Sequence, residues 1–204
     1  MHHRRFSDKI DEKEINEESC NYNIATPFDT ILSHINFLYY YTKINYLFLG
    51  SGCIVENIIF RINYIFKHKF FFNEIKYEID LRYDYRLGSY FVDNSKYAIG
   101  CFDCFVFVYD ISIRISFDKV IKLLKVPQWK KNDFFIYILY GNKPFYDFKR
   151  EVSFEEGKKL AEENKMIFFE IDMYKNDDIK QFVEKSVKRI ADYRIKKYYL
   201  NAQK

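Results

Sequence analysis

FVFVYDISIRISFDKV, Phe105 to Val120, carries two different patterns in sequence. Phe105–Tyr109 is an unbroken apolar run, as expected of a strand buried on both faces in a parallel sheet. From Ser116 the spacing turns helical, and Pro127 is expected to close that helix near Lys125. The stretch therefore reads as one strand-helix unit.

The unit repeats in both directions. Short apolar runs recur at Tyr46–Leu49, Phe134–Tyr140 and Met166–Phe169, each followed by a polar or helical segment. Ser153-Phe154-Glu155-Glu156 is a capping box, so a helix is expected from Ser153 to Glu163. A last helix begins near Asn176 and carries Ile179, Phe182, Val183, Val187 and Ile190 on one face. Phe70 to Tyr83 reads as a hairpin turning near Asn73–Lys76, its aromatics serving either a partner surface or the core. Alternating units of this kind predict an α/β fold: a doubly wound, mostly parallel sheet with helices on both faces.

Before the sheet lies an N-terminal extension. Residues 1–25 mix both charge signs without an apolar period and read as a charged flexible tail. Residues 26–43 read as an added helix. Thr26 caps it, Pro27 takes its first position, and Phe28, Ile31, Leu32, Ile35 and Leu38 follow at helical spacing. The main domain is then expected over 44–195, with a C-terminal tail at 196–204.

Composition limits the function. The 204 residues suffice for one domain with a full core and an extension. A net charge of +4, from 33 basic and 29 acidic residues, is too balanced to argue for nucleic acid. The 21% of aromatic residues reads as a composition bias. The most apolar stretch between charges, Ile44 to Val55, is far short of the roughly 20 residues a spanning helix needs. The charged N-terminus gives no sign of a leader, so an intracellular, reduced chain is expected. Cys101-x-x-Cys104 is then a redox pair or two thiols at the core edge. Zinc would require a second ligand pair, and His2, His3, His34 and His68 do not supply one.

LFLGSGCIVENIIF, Leu47 to Phe60, has the frame of a phosphate-binding loop: an apolar strand, a glycine, a short loop, a helix. The motif wants G-x-x-x-x-G-K-[ST]. The chain offers Gly50-Ser51-Gly52-Cys53-Ile54-Val55-Glu56-Asn57.

Several motifs in order now identify a family. The stretch Phe105–Val120, then Tyr140-Gly141-Asn142-Lys143, then KREVSFEEGKKLAEENKMIFFE (Lys149–Glu170) resemble the Rab branch of the Ras-like small GTPases. The resemblance is clear from Ser95 to about Ile190 and survives upstream only as a frame. It implies GTP or GDP binding with magnesium, protein partners, and a place in intracellular vesicle or membrane traffic.

The same resemblance marks what this chain lacks. Gly50 matches the first glycine of the phosphate loop, and Gly52 leaves the backbone some room. Val55 replaces the glycine that lets the backbone approach phosphate. Glu56 stands where a lysine should reach the phosphates, turning an attraction into a repulsion. Asn57 replaces the magnesium-binding hydroxyl. Asp84, in Tyr83-Asp84-Tyr85-Arg86-Leu87-Gly88, matches the acid behind the metal and is a vestigial magnesium position. Leu87 and Gly88 replace the glycine and the water-orienting glutamine. No threonine follows Thr42, so the first switch lacks its metal ligand. With the first helix at about Asn57–Lys67 and the hairpin behind it, no length remains for that switch.

At the base site Asn142 and Lys143 match N-K-x-D, but Phe145 replaces the aspartate, with Asp147 two residues on. Glu170-Ile171-Asp172-Met173-Tyr174 has lost the last motif. An asparagine after a strand can equally serve to tie two loops together, the alternative role for Asn142.

Five damaged motifs predict a pseudo-GTPase. No catalytic residue is expected, cofactors are expected to be none, and protein partners are expected without nucleic acid. The alternative is a divergent GTP-binding protein with weak or no hydrolysis, taking GTP or GDP and Mg. After Cys104 no cysteine remains for a lipid anchor. The basic final helix (Lys185, Lys188, Arg189, Arg194, Lys196, Lys197) allows at most peripheral membrane contact. The expected location is cytoplasmic, at most peripheral to endomembranes.

Overall fold

A computed structural model of the chain describes residues 43–72, 75–84, 102–126, 135–144 and 149–202. The tail expected at 1–25, the added helix expected at 26–43 except Lys43, which is strand rather than helix, the turn at Asn73-Glu74, Tyr85–Gly88, Cys101, Pro127, Phe134 and Phe145–Phe148 lie outside the described residues.

Six strands form one sheet: β1 (Lys43–Leu49), β2 (Lys69–Phe72), β3 (Ile75–Asp84), β4 (Cys104–Asp110), β5 (Ile136–Lys143) and β6 (Ile167–Asp172). Their order is β2-β3-β1-β4-β5-β6. All neighbours pair parallel except β2 with β3, the expected hairpin. Four helices complete the described chain: α1 (Gly52–Phe66), α2 (Arg114–Leu124), α3 (Phe154–Glu163) and α4 (Asn176–Ala202).

Strand periodicity divides the core in two. Ile44, Tyr46 and Phe48 of β1, with Val106 and Val108 of β4, face α1 and α4. Leu47 and Leu49, with Phe105, Phe107 and Tyr109, face α2 and α3. Every residue of β4 is buried, which is why its sequence is a continuous apolar run. The doubly wound reading of the sequence is therefore the fold.

Three helix boundaries differ from expectation. The first helix begins at Gly52, five residues before Asn57, because Val55, Ile58 and Ile62 all bury against the sheet and draw the chain into helix at once. The second begins at Arg114, ahead of Ser116. The last runs through Ala202, so residues 196–202, read as tail, continue α4. Ser153 does cap α3 in a complete capping box with Glu156.

The lower end of the sheet is clamped. Arg194, buried near the end of α4, donates to the Lys43 carbonyl at 2.8 Å and pairs with Asp103. Asp103 in turn accepts from the Asn45 amide at 2.9 Å. Cys104 beside it is fully buried as a free thiol, and burial pushes its pKa up.

Candidate functional site

In a doubly wound sheet, ligands bind outside the carboxyl ends of the strands, where the winding reverses. Here that point lies between β1 and β4, because α1 covers one face and α2 the other. A cleft sits there, lined among others by Gly50, Ser51, Ile54, Val108, Ser116 and Lys119. Its volume is about 80 Å³. Ligand pockets typically hold about 300–1,000 Å³.

The cleft is small because of the chain's own packing. A β-carbon on Gly50 would meet the Val108 carbonyl oxygen at 2.8 Å and the Val55 Cγ2 methyl at 3.1 Å. Val55 is 1% exposed. The Ser51 carbonyl accepts from the amides of Ile54 and Val55, at 3.1 and 3.0 Å. A phosphate cradle needs such amides turned outward toward the anion. Here they are spent inside the first turn of α1, and Gly52 is simply the first residue of that helix.

Glu56 and Asn57 are both exposed, one turn further along. Glu56 was expected to project into the phosphate position. Instead it accepts from the Tyr83 hydroxyl at 3.0 Å, tying α1 to β3. The early helix start is the cause: it carries Glu56 past the loop and onto the helix flank. Asp84 ends β3 opposite Leu49, so its backbone lies beside the β1 terminus. Among the described residues, no three His, Cys, Asp or Glu converge to hold a metal ion.

The base-site positions are gathered, but onto one another. Asn142 is 1% exposed; its Nδ2 donates to Asp110 Oδ2 at 3.2 Å, and its carbonyl accepts from Ile111. The Asn142 Oδ1 is buried with no partner among the described residues. Lys143 pairs with Glu170 at 3.5 Å, and Arg150 grips both oxygens of the same carboxylate at 2.9 and 2.7 Å. Arg150 and Lys143 together hold the Glu170 carboxyl below its usual range, against the burial that would raise it. The Tyr109 hydroxyl beneath is buried without a partner among the described residues, and burial pushes its pKa up.

Sequence reasoning missed the centre of this network, Asp110. Its Oδ1 accepts from both the amide and the hydroxyl of Ser112, at 2.8 and 2.6 Å, while its amide donates to Ser116 Oγ. The signal was present: aspartate followed by serine two residues on is an Asx-type turn. Ser116, expected to start a helix, instead fastens the helix start back onto β4 through Ile113 and Asp110.

A family model described as the Ras family matches residues 90–192, half of the chain. The Ras-related and estrogen-regulated growth inhibitor of Homo sapiens is 46% identical over 67 residues, covering 32% of this chain and 34% of that protein. The Ras-related protein RABA6b of Arabidopsis thaliana is 31% identical over 94 residues, 46% of this chain and 41% of that protein. The Ras-related protein Rab-3 of Caenorhabditis elegans is 33% identical over 91 residues, 43% of this chain and 40% of its own. The chain thus spans between a third and about two fifths of the length of these curated relatives. Matching family model, strand order and crevice agree, and the chain belongs to the Ras family of small GTPases.

Proposed function

We propose that this Rab-like member of the family is a pseudo-GTPase: a protein-binding module in intracellular vesicle or membrane traffic, without nucleotide turnover. The family fold normally takes GTP or GDP with magnesium. The observation that carries the proposal is the start of α1 at Gly52, with Val55 buried over Gly50. That arrangement uses the loop's amides and its space internally. No lysine stands at Glu56 to offset phosphate charge. Glu56 instead serves α1 and β3 through the Tyr83 hydroxyl, so the position supplies no cation to the crevice.

Without turnover, the surface would do the work. The β2–β3 hairpin exposes Phe71 (68%), Ile75 (46%) and Tyr83 (41%), a share of apolar surface suited to a protein partner. Charge balance gives no reason to expect nucleic acid. Among the described residues no helix is long and apolar enough to cross a membrane. Any membrane contact would run through the basic flank of α4, and the location we propose is cytoplasmic, peripheral to endomembranes at most. The domain organisation proposed is an extension over 1–42 ahead of one Ras-family domain.

One observation favours a second reading, a divergent GTP-binding protein with weak or no hydrolysis. The N-terminal end of α1, whose Ser51 cap makes no side-chain hydrogen bond, and Lys119 both border the cleft. Titrating the full chain with fluorescent GDP and GTP analogues, magnesium present, separates the two. The first reading predicts no saturable signal and no phosphate release. Saturable binding at micromolar concentration would replace it with the second.

A further inference from the structure

Phe60 and Tyr64 stand on the outer face of α1, each 66% exposed. Their rings stack, with centroids 6.5 Å apart and planes 20° from parallel. A third side chain joins them. The Arg61 guanidinium lies 5.8 Å from the centre of the Tyr64 ring, within reach of a cation–π contact. Residues three and four apart on a helix are neighbours, so α1 builds this trio alone: Tyr64 meets Phe60 four residues back and Arg61 three back.

Arg61 also reaches a second element. Its Nε donates to the Met173 carbonyl at 3.2 Å. Its Nη2 donates to the Tyr174 carbonyl at 3.4 Å and to Asn176 Oδ1 at 2.7 Å. Met173, Tyr174 and Lys175 form the turn between β6 and α4. The donors of that turn are satisfied separately. The Tyr174 amide donates to Asp172 Oδ1 at 2.9 Å, and the Lys175 amide to the Asp172 carbonyl at 3.0 Å. Asp172 thus holds the donors of the turn, and Arg61 holds its acceptors.

Charge alone does not explain this use of Arg61. It brings a cation to the N-terminal end of α4, where the helix dipole favours anions. What the guanidinium offers is its planar fork, with Nε and Nη2 facing two successive carbonyls. A fork works only when its plane is held, and a free arginine loses much rotamer freedom on being fixed. The Tyr64 ring, stacked in turn on Phe60, supplies a surface that restricts Arg61 before it meets the turn.

We propose that the Phe60–Tyr64 stack is the brace of a latch: it orients Arg61, and Arg61 fastens the β6–α4 turn to α1. Tyr64 is then a positioning residue that acts on the turn through Arg61. The exposed rings have a use within the chain, and no occupant is needed to account for them. The turn holds the end of the last family motif, Met173 and Tyr174, so α1 itself sets that edge of the domain. The inference stands whether or not the chain binds nucleotide.

Amide exchange followed by NMR on the full chain, without nucleotide, tests it. In Arg61→Gln the amides of Tyr174 and Lys175 should exchange at least tenfold faster, while those of Val106 and Ile138 in the central strands keep their rates. Tyr64→Ala should loosen the same two amides severalfold. Alanine is the better helix former, so that loosening cannot come from unravelling α1. Tyr64→Phe, which keeps the ring, should restore the parent rates. Tyr64→Ala added to Arg61→Gln should change nothing more, because the brace acts only through the latch. Turn amides as slow in Tyr64→Ala as in the parent would overturn the proposal and leave the stack to a partner. Equal loosening in Tyr64→Phe, or loosening shared by Val106 and Ile138, would overturn it as well.

Discussion

The Cγ2 methyl of Val55 lies 3.1 Å from the point that a β-carbon on Gly50 would occupy, and the Val108 carbonyl lies 2.8 Å from the same point. In a phosphate loop these positions frame an anion. Here they frame a packing contact between β1, β4 and α1.

The glycine is therefore kept by sterics. Gly50→Ala forces a β-carbon into backbone and should cost about 1–3 kcal/mol. Urea unfolding without any nucleotide should show the loss. An unchanged midpoint would mean that the loop has slack.

Val55 should behave as core. Val55→Ala removes two buried methyl groups and should destabilise by about 2 kcal/mol. A loop residue over an open site would change stability by less than about 0.5 kcal/mol.

The α4 clamp should be costly to break. Arg194→Ala leaves the Asp103 carboxylate half-buried with one cation gone, and the loss should approach 3 kcal/mol, read from the same unfolding curves. Both bonds come from the single nitrogen Nη2, so Arg194→Lys, which also presents one nitrogen, should recover part of the loss.

Glu170 should give stability a pH dependence. Its carboxyl, 5% exposed, titrates lower in the folded chain than in the unfolded one because Arg150 and Lys143 hold it ionised. The unfolded chain then binds the extra proton, so stability rises with pH across this window. The contribution is complete above the unfolded pKa, near 4.3, and fades as pH falls through the folded value. Glu170→Gln should lower stability at pH 7 by about 1–2 kcal/mol, discounted for the exposed cations, and flatten the acid limb. A parallel acid limb in the variant would assign the dependence to other carboxylates.

The sheet could be read from residues alone because each buried strand announces itself: Phe105–Tyr109 is apolar throughout and lies between two helical layers. The capping box at Ser153 was equally local. The start of α1 was hidden by comparison with a motif, which drew attention to the missing glycine at Val55. Yet Val55, Ile58 and Ile62 already had helical spacing, and that spacing decides the backbone. The motif alignment sets Glu56 at the phosphate, whereas its hydrogen-bond partner, Tyr83, is 27 residues away in sequence. The Arg150–Glu170 fork was out of reach too, since a side-chain pair 20 residues apart depends on strand register.

The central claim is that the crevice at Gly50 is closed to nucleotide, and melting of the full chain with millimolar GTP or GDP and magnesium tests it most directly. The account predicts no change in Tm. A ligand at about 100 times its Kd adds roughly 2.7 kcal/mol, which for a chain of this size is about 5–11 °C. A rise of that order, abolished by Asp84→Ala, would contradict the account and restore a working nucleotide site.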